Sequence, residues 1–425
     1  MAGLKVGYLV QQFPPEVGAG PARVAEMALR WRDAGAEVVV VTGMPNRPEG
    51  RIHPEYRGRL FVDEEWQGIR VLRSWLYASP RHGFARTVLN NTTFMATAAL
   101  NTLFRAQKPD VLIASSPPFF PHLAGALAGG MRRVPLLLEI RDLWPDYLVG
   151  MGVLKEGAAT RALFALERSL LRRAAHVVVV TESFRERVVE KGVPREKIDV
   201  IPNGVDTRLY YPSRDEPPPL ESLRRAEGEF IVGYLGNFGA GQALPVIVAA
   251  AAEVARRDPS IRFVMAGDGP ERALIEARMA ELGVASLAVH PPIAKETTRA
   301  FYNACDLCLV PLAPFPILQE TIPSKIFEVM ACERPVLASL GGEGATIVER
   351  SRAGVVTAPG DAAAIAEAVL RMKAMDPAER AAMGQRGRAF VRDHYSRDRL
   401  AARYLEILAR LAGRPAGAAG EVRAA

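Results

Sequence analysis

Two carboxylates, Glu320 and Glu328, are separated by seven residues in the segment E-TIPSKIF-E-VMA. Pro323 lies between them and suits the first turn of a helix, because its missing N–H would have no partner there. Carboxylate oxygens accept hydrogen bonds from hydroxyl groups. The spacing therefore predicts a loop-to-helix junction, with Glu320 in the loop and Glu328 on the helix.

The predicted helix start supplies donors between these carboxylates. The N–H groups of Ser324, Lys325 and Ile326 would point out of the helix, where partial positive charge gathers and anions bind. Ser324 and Glu328 are four residues apart and would share one helical face. A diphosphate placed here would meet donors at its centre and carboxylates on both sides, an arrangement suited to a nucleotide-sugar.

A simpler interpretation of the same segment is a solvated Lys325–Glu328 pair on an ordinary helix, with Glu320 an incidental loop acid. Such a pair contributes at most ~0.5 kcal/mol to helix stability. The spacing alone favours this interpretation, so the rest of the chain must decide between the two.

The segment resembles the signature of the retaining family 4 glycosyltransferases, which is a Glu, seven residues, a second Glu, a small-residue helix end, a turn and Pro-Val. The matching positions are Glu320, Glu328, Ala331, residues 332–334 and Pro335-Val336-Leu337. The pattern ET-PSKI-E-MA is similar to a branch that builds O-antigen, capsule and colanic-acid-like polymers. The resemblance runs from about residue 6 to about residue 411.

The resemblance implies an α/β fold called GT-B, in which two Rossmann-like doubly wound domains face each other across a cleft. It also implies transfer of a sugar, here expected to be an acetamido sugar, from a UDP donor to a polyprenyl-diphosphate-linked saccharide. Glu320 would contact the transferred sugar, Glu328 the ribose hydroxyls, and Ser324 with Lys325 the diphosphate. The chain contains no Asp-x-Asp, so we expect no metal and no cofactor besides the donor substrate.

A glycine-rich loop, Gly18-Ala19-Gly20, precedes the first predicted helix. A dinucleotide fingerprint would require a third glycine where Arg23 stands and an acidic residue where the second strand ends in Thr42. In the resembling family this loop lets backbone amides approach the donor diphosphate. An ordinary tight turn would also use glycine.

Three more positions are implied to approach the nucleotide. Gly267 and Gly269 follow a predicted strand in a G-D-G-P turn that the family also has. Pro291 ends the next predicted strand, where the family holds the base through main-chain groups. A uracil base follows from this resemblance alone.

Arg141 and Asp142 follow a buried strand and precede Trp144. They could hold a sugar by hydrogen bonds while the tryptophan ring stacks on it. A buried pair that serves only stability explains these two residues equally well. The resemblance places them on the acceptor side, so both are candidate catalytic residues.

The chain departs from the wider family at two sites. Many members have a histidine where residues 115–118 read Ser-Ser-Pro-Pro, and His122 need not replace it. Many members also hold the diphosphate with an Arg and a Lys, whose positions here carry Asn237 and Gln242. We hypothesise that Lys325 supplies the missing positive charge.

Length and alternating patterns predict two domains. Apolar runs of strand length alternate with helical stretches, stop at a proline-rich stretch, and then start again, as two parallel-sheet domains require. The predicted order is a first domain over 1–208, a linker over 209–228, a second domain over 229–395, a helix over 396–412 that crosses back, and a flexible tail over 413–425.

Net charge is +7 and the sequence pI is about 9.4, which raises the question of a nucleic-acid partner. The arginines are scattered among acids and form no cluster with aromatic residues, so solvated helix faces are the better explanation. An anionic membrane surface or a pyrophosphate substrate also suits the surplus. Three cysteines give no disulfide framework and suit a reducing cytoplasm; Cys305 and Cys308 are expected to pack in a strand.

The sequence has no signal-peptide pattern and no apolar run of the ~20 residues that a membrane span needs. We expect a cytoplasmic protein with peripheral membrane contact at the inner face. Residues 75–95 suit a lipid headgroup boundary, although a buried loop and helix is the alternative. This segment mixes Arg81 and Arg86 with Trp75, Tyr77, Phe84 and Phe94.

Two other functional classes stay open at this point. One is a UDP-sugar epimerase or phosphorylase of the same fold, which needs no acceptor. The other is a nucleotide-sugar-binding or nucleic-acid-binding protein without catalysis.

Overall fold

The computed structural model describes residues 3–81, 83–150, 154–155, 157–213 and 215–414. Most of the predicted tail, residues 415–425, therefore lies outside the described residues. The chain divides into two compact units, one formed by Met1–Pro202 with Arg397–Ala425 and the other by Asn203–Ser396. The predicted linker begins inside the second of these units.

The first unit is built on a sheet whose strand order is β3-β4-β2-β1-β5-β6-β7-β8. Every neighbouring pair is parallel except β3 and β4. Its strands are β1 (Lys5–Leu9), β2 (Glu37–Gly43), β3 (Phe61–Trp66), β4 (Ile69–Ser74), β5 (Val111–Ser116), β6 (Leu136–Ile140), β7 (His176–Val179) and β8 (Ile198–Val200). Its first six helices are α1 (Ala19–Asp33), α2 (Phe84–Phe104), α3 (Phe120–Arg132), α4 (Trp144–Gly150), α5 (Ala158–Arg173) and α6 (Glu182–Glu190).

One hairpin departs from the expected parallel sheet. β3 and β4 pair antiparallel through Gln67 and Gly68, which both have positive φ, at 47° and 75°. Such a two-residue turn matches the twist of the flanking strands. No apolar run predicts this hairpin, because the edge strand β3 has the sequence FVDEEW, with three consecutive acidic residues.

The second unit has a six-stranded sheet in the order β11-β10-β9-β12-β13-β14, with all pairs parallel. Its strands are β9 (Phe230–Leu235), β10 (Ile261–Ala266), β11 (Leu287–His290), β12 (Leu307–Pro311), β13 (Val336–Ser339) and β14 (Gly354–Thr357). Its helices are α7 (Leu244–Arg257), α8 (Arg272–Leu282), α9 (Thr298–Ala304), α10 (Lys325–Ala331), α11 (Gly342–Ser351), α12 (Ala362–Ala374) and α13 (Pro377–Tyr395). The apolar runs of this half therefore form strands, as the alternating pattern predicted.

Both sheets reverse their winding direction once, between β1 and β5 in the first unit and between β9 and β12 in the second. In open parallel sheets, ligands bind outside the carboxyl ends of the strands at this switch point, because the loops on either side turn away from each other. Ligand sites are therefore expected at the loops after β1 and β5 and at those after β9 and β12.

The last helix of the chain, α14 (Arg397–Leu411), belongs to the first unit. The indole N–H of Trp31 on α1 donates to the carbonyl of Ala401, and the Trp31 ring lies 5.0 Å from that of Tyr404. Both aromatic residues are fully buried. The helix is therefore a core element of this unit.

The proline-rich segment before β9 packs on α9 of the second unit. Arg299 forms an ion pair with Glu216 at 2.8 Å, and its guanidinium lies 4.0 Å from the centre of the Tyr211 ring. Asn303 donates to the carbonyl of Tyr211.

In the part of the chain that the structure describes, no helix is both long and apolar enough to cross a membrane.

Candidate active site

The loops after β9 and β12 meet at the switch point of the second sheet. The N–H of Ala313 donates to the carbonyl of Gly241 at 2.9 Å, and a Cβ added to Gly241 would lie 3.4 Å from Leu318. Asn237 and Gln242 lie in the first of these loops, while Glu320 and the start of α10 follow the second. The strand order thus brings together residues that are about 80 positions apart in the sequence.

Lys325 extends from the start of α10 into the loop after β9. Its ammonium donates to the Tyr234 hydroxyl at 2.9 Å and to Oε1 of Gln242 at 3.1 Å, and it lies 4.1 Å from the centre of the Tyr234 ring. Gly236 has a φ of 149°, which residues with a side chain rarely adopt, and a Cβ there would lie 2.6 Å from this nitrogen. Burial lowers the pKa of Lys325 to about 7. This enclosed amine is not the solvated surface lysine of the simpler interpretation.

Glu328 is held by a residue that the sequence analysis did not identify. Its Oε2 accepts a hydrogen bond of 2.9 Å from the hydroxyl of Tyr302 on α9, which is 2% exposed. Burial, together with the nearby Glu328 carboxylate, raises the pKa of Tyr302. The tyrosine therefore stays a donor and fixes the direction of the Glu328 carboxylate.

Glu320 ends a short 3₁₀ helix, Pro316–Glu320, and is half-buried. Its neighbour Gln319 accepts a hydrogen bond of 2.7 Å from the N–H of Gly341. Gly342 has a φ of 64°, and a Cβ there would lie 1.8 Å from the Gln319 carbonyl oxygen. The loop that carries Glu320 is therefore clamped against the start of α11, a contact that the sequence analysis missed.

The helix start differs in one detail from the expected geometry. α10 begins at Lys325, and Ser324 is its N-cap residue. The N–H of Ile326 donates to the carbonyl of Pro323 at 3.1 Å, so it does not point outward as predicted. A tight 3₁₀-type turn at the helix start uses this donor, as is common at helix ends.

Gly267 and Gly269 pack against the loop after β9. A Cβ on Gly267 would lie 1.8 Å from the Gly236 carbonyl oxygen, and one on Gly269 would lie 2.7 Å from Oδ1 of Asn237. These two glycines therefore allow one loop backbone to approach another. Pro291 is exposed just after β11, whose last residue, His290, bonds to the hydroxyl of Ser222 at 2.7 Å.

In the first unit, the structure brings Arg141 to the glycine-rich loop. Gly18 is the N-cap of α1 with a φ of 149°, and a Cβ on Gly20 would lie 2.9 Å from Nη1 of Arg141. The Nε of Arg141 donates to the carbonyl of Ser116 at 3.0 Å. A guanidinium thus lies beside the start of a 15-residue helix.

A fully buried carboxylate, Glu139, lies next to this region. It accepts hydrogen bonds from Tyr8 at 2.8 Å, from Ser115 at 2.6 Å and from Arg23 at 3.2 Å. Burial alone would raise the pKa of Glu139, but the nearby guanidinium groups of Arg23 and Arg141 lower it below its ordinary value. No local pattern predicts this network, since Glu139 stands inside an apolar strand.

Asp142 and His122 are both perturbed by burial. Desolvation raises the pKa of Asp142 to about 6, although Arg141 opposes the shift. Burial lowers the pKa of His122 to about 4, and its ring nitrogen bonds to the carbonyl of Glu139 at 3.1 Å. His122 is therefore a neutral core residue and does not replace the family histidine.

The predicted site residues form two sets. Gly18, Gly20, Arg141 and Asp142 lie in the first unit, and all the others lie in the second. Within the described ranges, no group of three or more His, Cys, Asp or Glu residues is placed to hold a metal ion. Cys305, Cys308 and Cys332 are buried free thiols.

Two protein families match this chain in succession. Residues 18–204 match the family described as Glycosyl transferase 4-like domain, and residues 229–374 match Glycosyl transferases group 1. The two matches together cover most of the chain. It belongs to the family 4 glycosyltransferases.

Named relatives of this glycosyltransferase are themselves sugar transferases. The putative colanic acid biosynthesis glycosyl transferase WcaI of Escherichia coli is 25% identical over 328 residues, which are 75% of this chain and 79% of the relative. The 2-deoxystreptamine glucosyltransferase of Streptomyces kanamyceticus is 30% identical over 240 residues, which are 54% of this chain and 59% of the relative. The expectation of a transferase enzyme is thereby confirmed.

Solved structures confirm the GT-B fold. Sucrose-phosphate synthase from Thermosynechococcus elongatus matches with a TM-score of 0.73 and 21% identity, over 97% of this chain and 99% of that one. Anabaena Alr3699/HepE, solved in complex with UDP-glucose, matches with a TM-score of 0.70 and 19% identity, over 96% of this chain and 100% of that one.

The desolvated Asp142 predicts a pH-dependent stability. Its ordinary pKa of 3.8 is raised to about 6 in the folded state, so folding disfavours the charged form. The destabilisation is absent below pH 3.8 and complete above pH 6, where it amounts to about 2–3 kcal/mol. We expect Asp142→Asn to raise the free energy of unfolding by about that amount at pH 7.5, with the gain vanishing as the pH falls below 4.

The matched control is Asp215→Asn, which changes an exposed aspartate. Denaturant unfolding of both variants and of the wild type across this pH range measures the difference. A gain at Asp142→Asn that is the same at every pH would contradict the argument.

Proposed function

We propose that this glycosyltransferase moves a sugar from a UDP-sugar donor to a lipid-linked saccharide, with retention of the anomeric configuration. The observation that carries the donor assignment is the position of Lys325, whose ammonium is bonded to Gln242 at the switch point of the second sheet. A positive charge beside a switch point suits a diphosphate. UDP-glucose bound to the Anabaena structure supports a uridine nucleotide.

The proposed acceptor is a polyprenyl-diphosphate-linked saccharide used to build a surface polysaccharide. The name of the Escherichia coli relative, which refers to colanic acid biosynthesis, supports this class of product. We further propose an acetamido sugar as the transferred group and peripheral contact with a membrane.

The proposed roles follow from where charge develops. Breaking the bond to the donor sugar builds positive charge on the ring and negative charge on the departing diphosphate, and both need preorganised electrostatic groups. Glu320 would contact the sugar, and Glu328 the ribose hydroxyls. Lys325 and Ser324 would contact the diphosphate, while the roles of Gly18, Gly20 and Pro291 stay predictions.

Substitutions of the two glutamates should have different effects on turnover and UDP affinity. We expect Glu320→Gln to lower turnover with little loss of UDP affinity, because its role is at the sugar. Glu328→Ala should weaken the binding of UDP and UDP-sugar alike. UDP affinity by calorimetry and turnover by UDP release measure the two effects.

Tyr302→Phe is the matched positioning variant for Glu328. Because it removes only the hydroxyl that orients the carboxylate, we expect weaker UDP binding than in the wild type but stronger than in Glu328→Ala. Reverting this variant to tyrosine is expected to restore the UDP affinity. Equal losses of UDP affinity in Glu320→Gln and Glu328→Ala would refute the assigned roles.

Lys325 should act on the departing UDP. We expect Lys325→Met to lower turnover by a factor of order 10², as for other groups that stabilise transition-state charge. Since the pKa of Lys325 is lowered to about 7, its charged fraction falls as the pH rises above neutrality. The UDP affinity of the wild type should therefore fall with rising pH, whereas that of Lys325→Met should stay level.

A lysine in place of Gln242, which bonds to Lys325, also tests whether positive charge at this point stabilises the departing UDP. Gln242→Lys in the Lys325→Met background should recover part of the turnover, because it returns an ammonium to the same loop. Near-normal turnover of Lys325→Met would show that another group stabilises the leaving UDP.

Metal independence is the remaining expectation. The chain has no Asp-x-Asp, so the diphosphate charge is assigned to Lys325 and backbone donors. We expect activity to survive EDTA. Complete loss of activity in EDTA, restored by manganese, would contradict this mechanism.

A further inference from the structure

A short helix of the second unit carries the tyrosine that orients Glu328. This helix, α9, has seven residues, and Tyr302 lies on its buried side. Isolated helices of fewer than ~12–15 residues are marginal in water, so the position of α9 depends on what packs against it. The direction of the Tyr302 hydroxyl, and with it that of the Glu328 carboxylate, therefore depends on the contacts that α9 makes.

The proline-rich connector before β9, residues 209–228, supplies an ion pair with two hydrogen bonds. Its residue Glu216 accepts from Nε of Arg299 on α9 at 2.9 Å and from Nη2 at 2.8 Å. Such a bidentate pair fixes the plane of the guanidinium as well as its distance from the carboxylate. The hydrogen bonds from Arg299 hold the pKa of Glu216 below its ordinary value, so the pair is charged at neutral pH.

Further contacts join the same face of α9 to the connector. The Arg299 guanidinium lies 4.0 Å from the centre of the Tyr211 ring, and the Asn303 side chain donates to the Tyr211 carbonyl at 3.1 Å. The ring of Tyr210 lies 6.4 Å from that of Tyr302. Residues three and four positions apart share one helix face, as Arg299, Tyr302 and Asn303 do here. The connector thus contacts the tyrosine itself as well as the helix that carries it.

The connector is also joined to the helix that carries Glu328. The guanidinium of Arg388 on α13 donates to the carbonyl of Tyr210 at 3.3 Å and to that of Ala331, the last residue of α10. The last carbonyls of a helix have no partner within the helix, so Arg388 satisfies one of them while it anchors the connector. Both partners of the Tyr302–Glu328 hydrogen bond are therefore linked to one segment of the chain.

We propose that the connector sets the affinity of the donor site for the ribose, with Arg299 as a positioning residue that acts through Tyr302 and Glu328. The inference rests on the proposed function, in which Glu328 accepts hydrogen bonds from the ribose hydroxyls. It goes beyond that function, because it gives Arg299 and Glu216 an effect on donor binding without contact to the donor. A hydrogen bond weakens steeply when its angle is lost, so a small displacement of α9 changes how the carboxylate meets the ribose.

Calorimetry with the full-length protein and two nucleotides tests this coupling. UDP and 2′,3′-dideoxy-UDP differ only in the ribose hydroxyls. We expect the wild type to bind UDP at least about tenfold more tightly, the ratio that one hydrogen bond to a carboxylate supplies. Arg299→Met should lower the UDP affinity about fivefold or more, at the lower end of the usual coupling between two sites. The affinity of this variant for the dideoxy nucleotide should stay unchanged.

Milder variants keep the test independent of a failure to fold. Glu216→Gln removes only the charge on the connector and should also reduce the preference for UDP. Arg299→Lys keeps the charge but loses the bidentate bond, so we expect an intermediate preference. Adding Glu216→Arg to Arg299→Glu should recover part of the preference that Arg299→Glu alone loses. The matched control is Arg257→Met, which breaks an ion pair with Glu367 between α7 and α12 of the same unit and should keep the wild-type preference.

A double variant tests whether Arg299 acts through Tyr302. Tyr302→Phe removes the hydroxyl that orients Glu328, so it should reduce the preference for UDP by itself. Adding Arg299→Met to this variant should cause little further loss, because the effects of residues in one network of contacts are not additive. Fully additive losses of the preference in the double variant would overturn the proposed route.

The pattern of affinities separates this inference from the proposed function. A wild-type preference for UDP that persists in both Arg299→Met and Glu216→Gln would overturn the inference and leave the role of Glu328 intact. Equal losses for the two nucleotides in these variants would also overturn it, because a general disturbance of the fold would then explain them. Equal affinity of the wild type for both nucleotides would refute the ribose role of Glu328, and the inference with it.

Discussion

The carboxyl ends of parallel strands lie at the same edge of a sheet, and this constraint organises both units of the protein. Where the strand order reverses, the flanking loops diverge and leave room for a ligand. In the second unit, the reversal between β9 and β12 brings the loop of Asn237 and Gln242 next to that of Glu320. In the first unit, the reversal between β1 and β5 lies beside the glycine-rich loop, which Arg141 contacts. The chemistry of each unit is therefore set by its loops, while the strands fix where these loops meet.

The proposed donor site holds a half-buried lysine. Neutral amides stand at Asn237 and Gln242, and the ammonium of Lys325 on α10 reaches across to Gln242. Enclosure between this amide and the Tyr234 ring lowers the pKa of the lysine to about 7. A diphosphate bound beside this lysine would favour its charged form.

In the first unit, a buried carboxylate holds several elements together. Glu139 joins β1, β5 and α1 through Tyr8, Ser115 and Arg23, and Arg23 also donates to the carbonyls of Ile201 and Pro202 at the end of the unit. Removing one partner of such a network leaves an uncompensated charge and is strongly destabilising. The same carboxylate lies near Arg141, so the packing of the core and the position of a candidate site residue are linked.

The sequence by itself determined the local structure and the family. Apolar runs predicted the buried parallel strands, and the Glu320 to Glu328 spacing predicted the loop-to-helix junction, because both patterns are read within a few neighbouring residues. Only the tertiary structure decided which side chains meet. Lys325 and Gln242 are 83 residues apart, and Tyr302 and Glu328 are 26 apart, so neither contact leaves a local pattern. Strand order and loop packing determine such pairs, and these depend on the whole chain folding together.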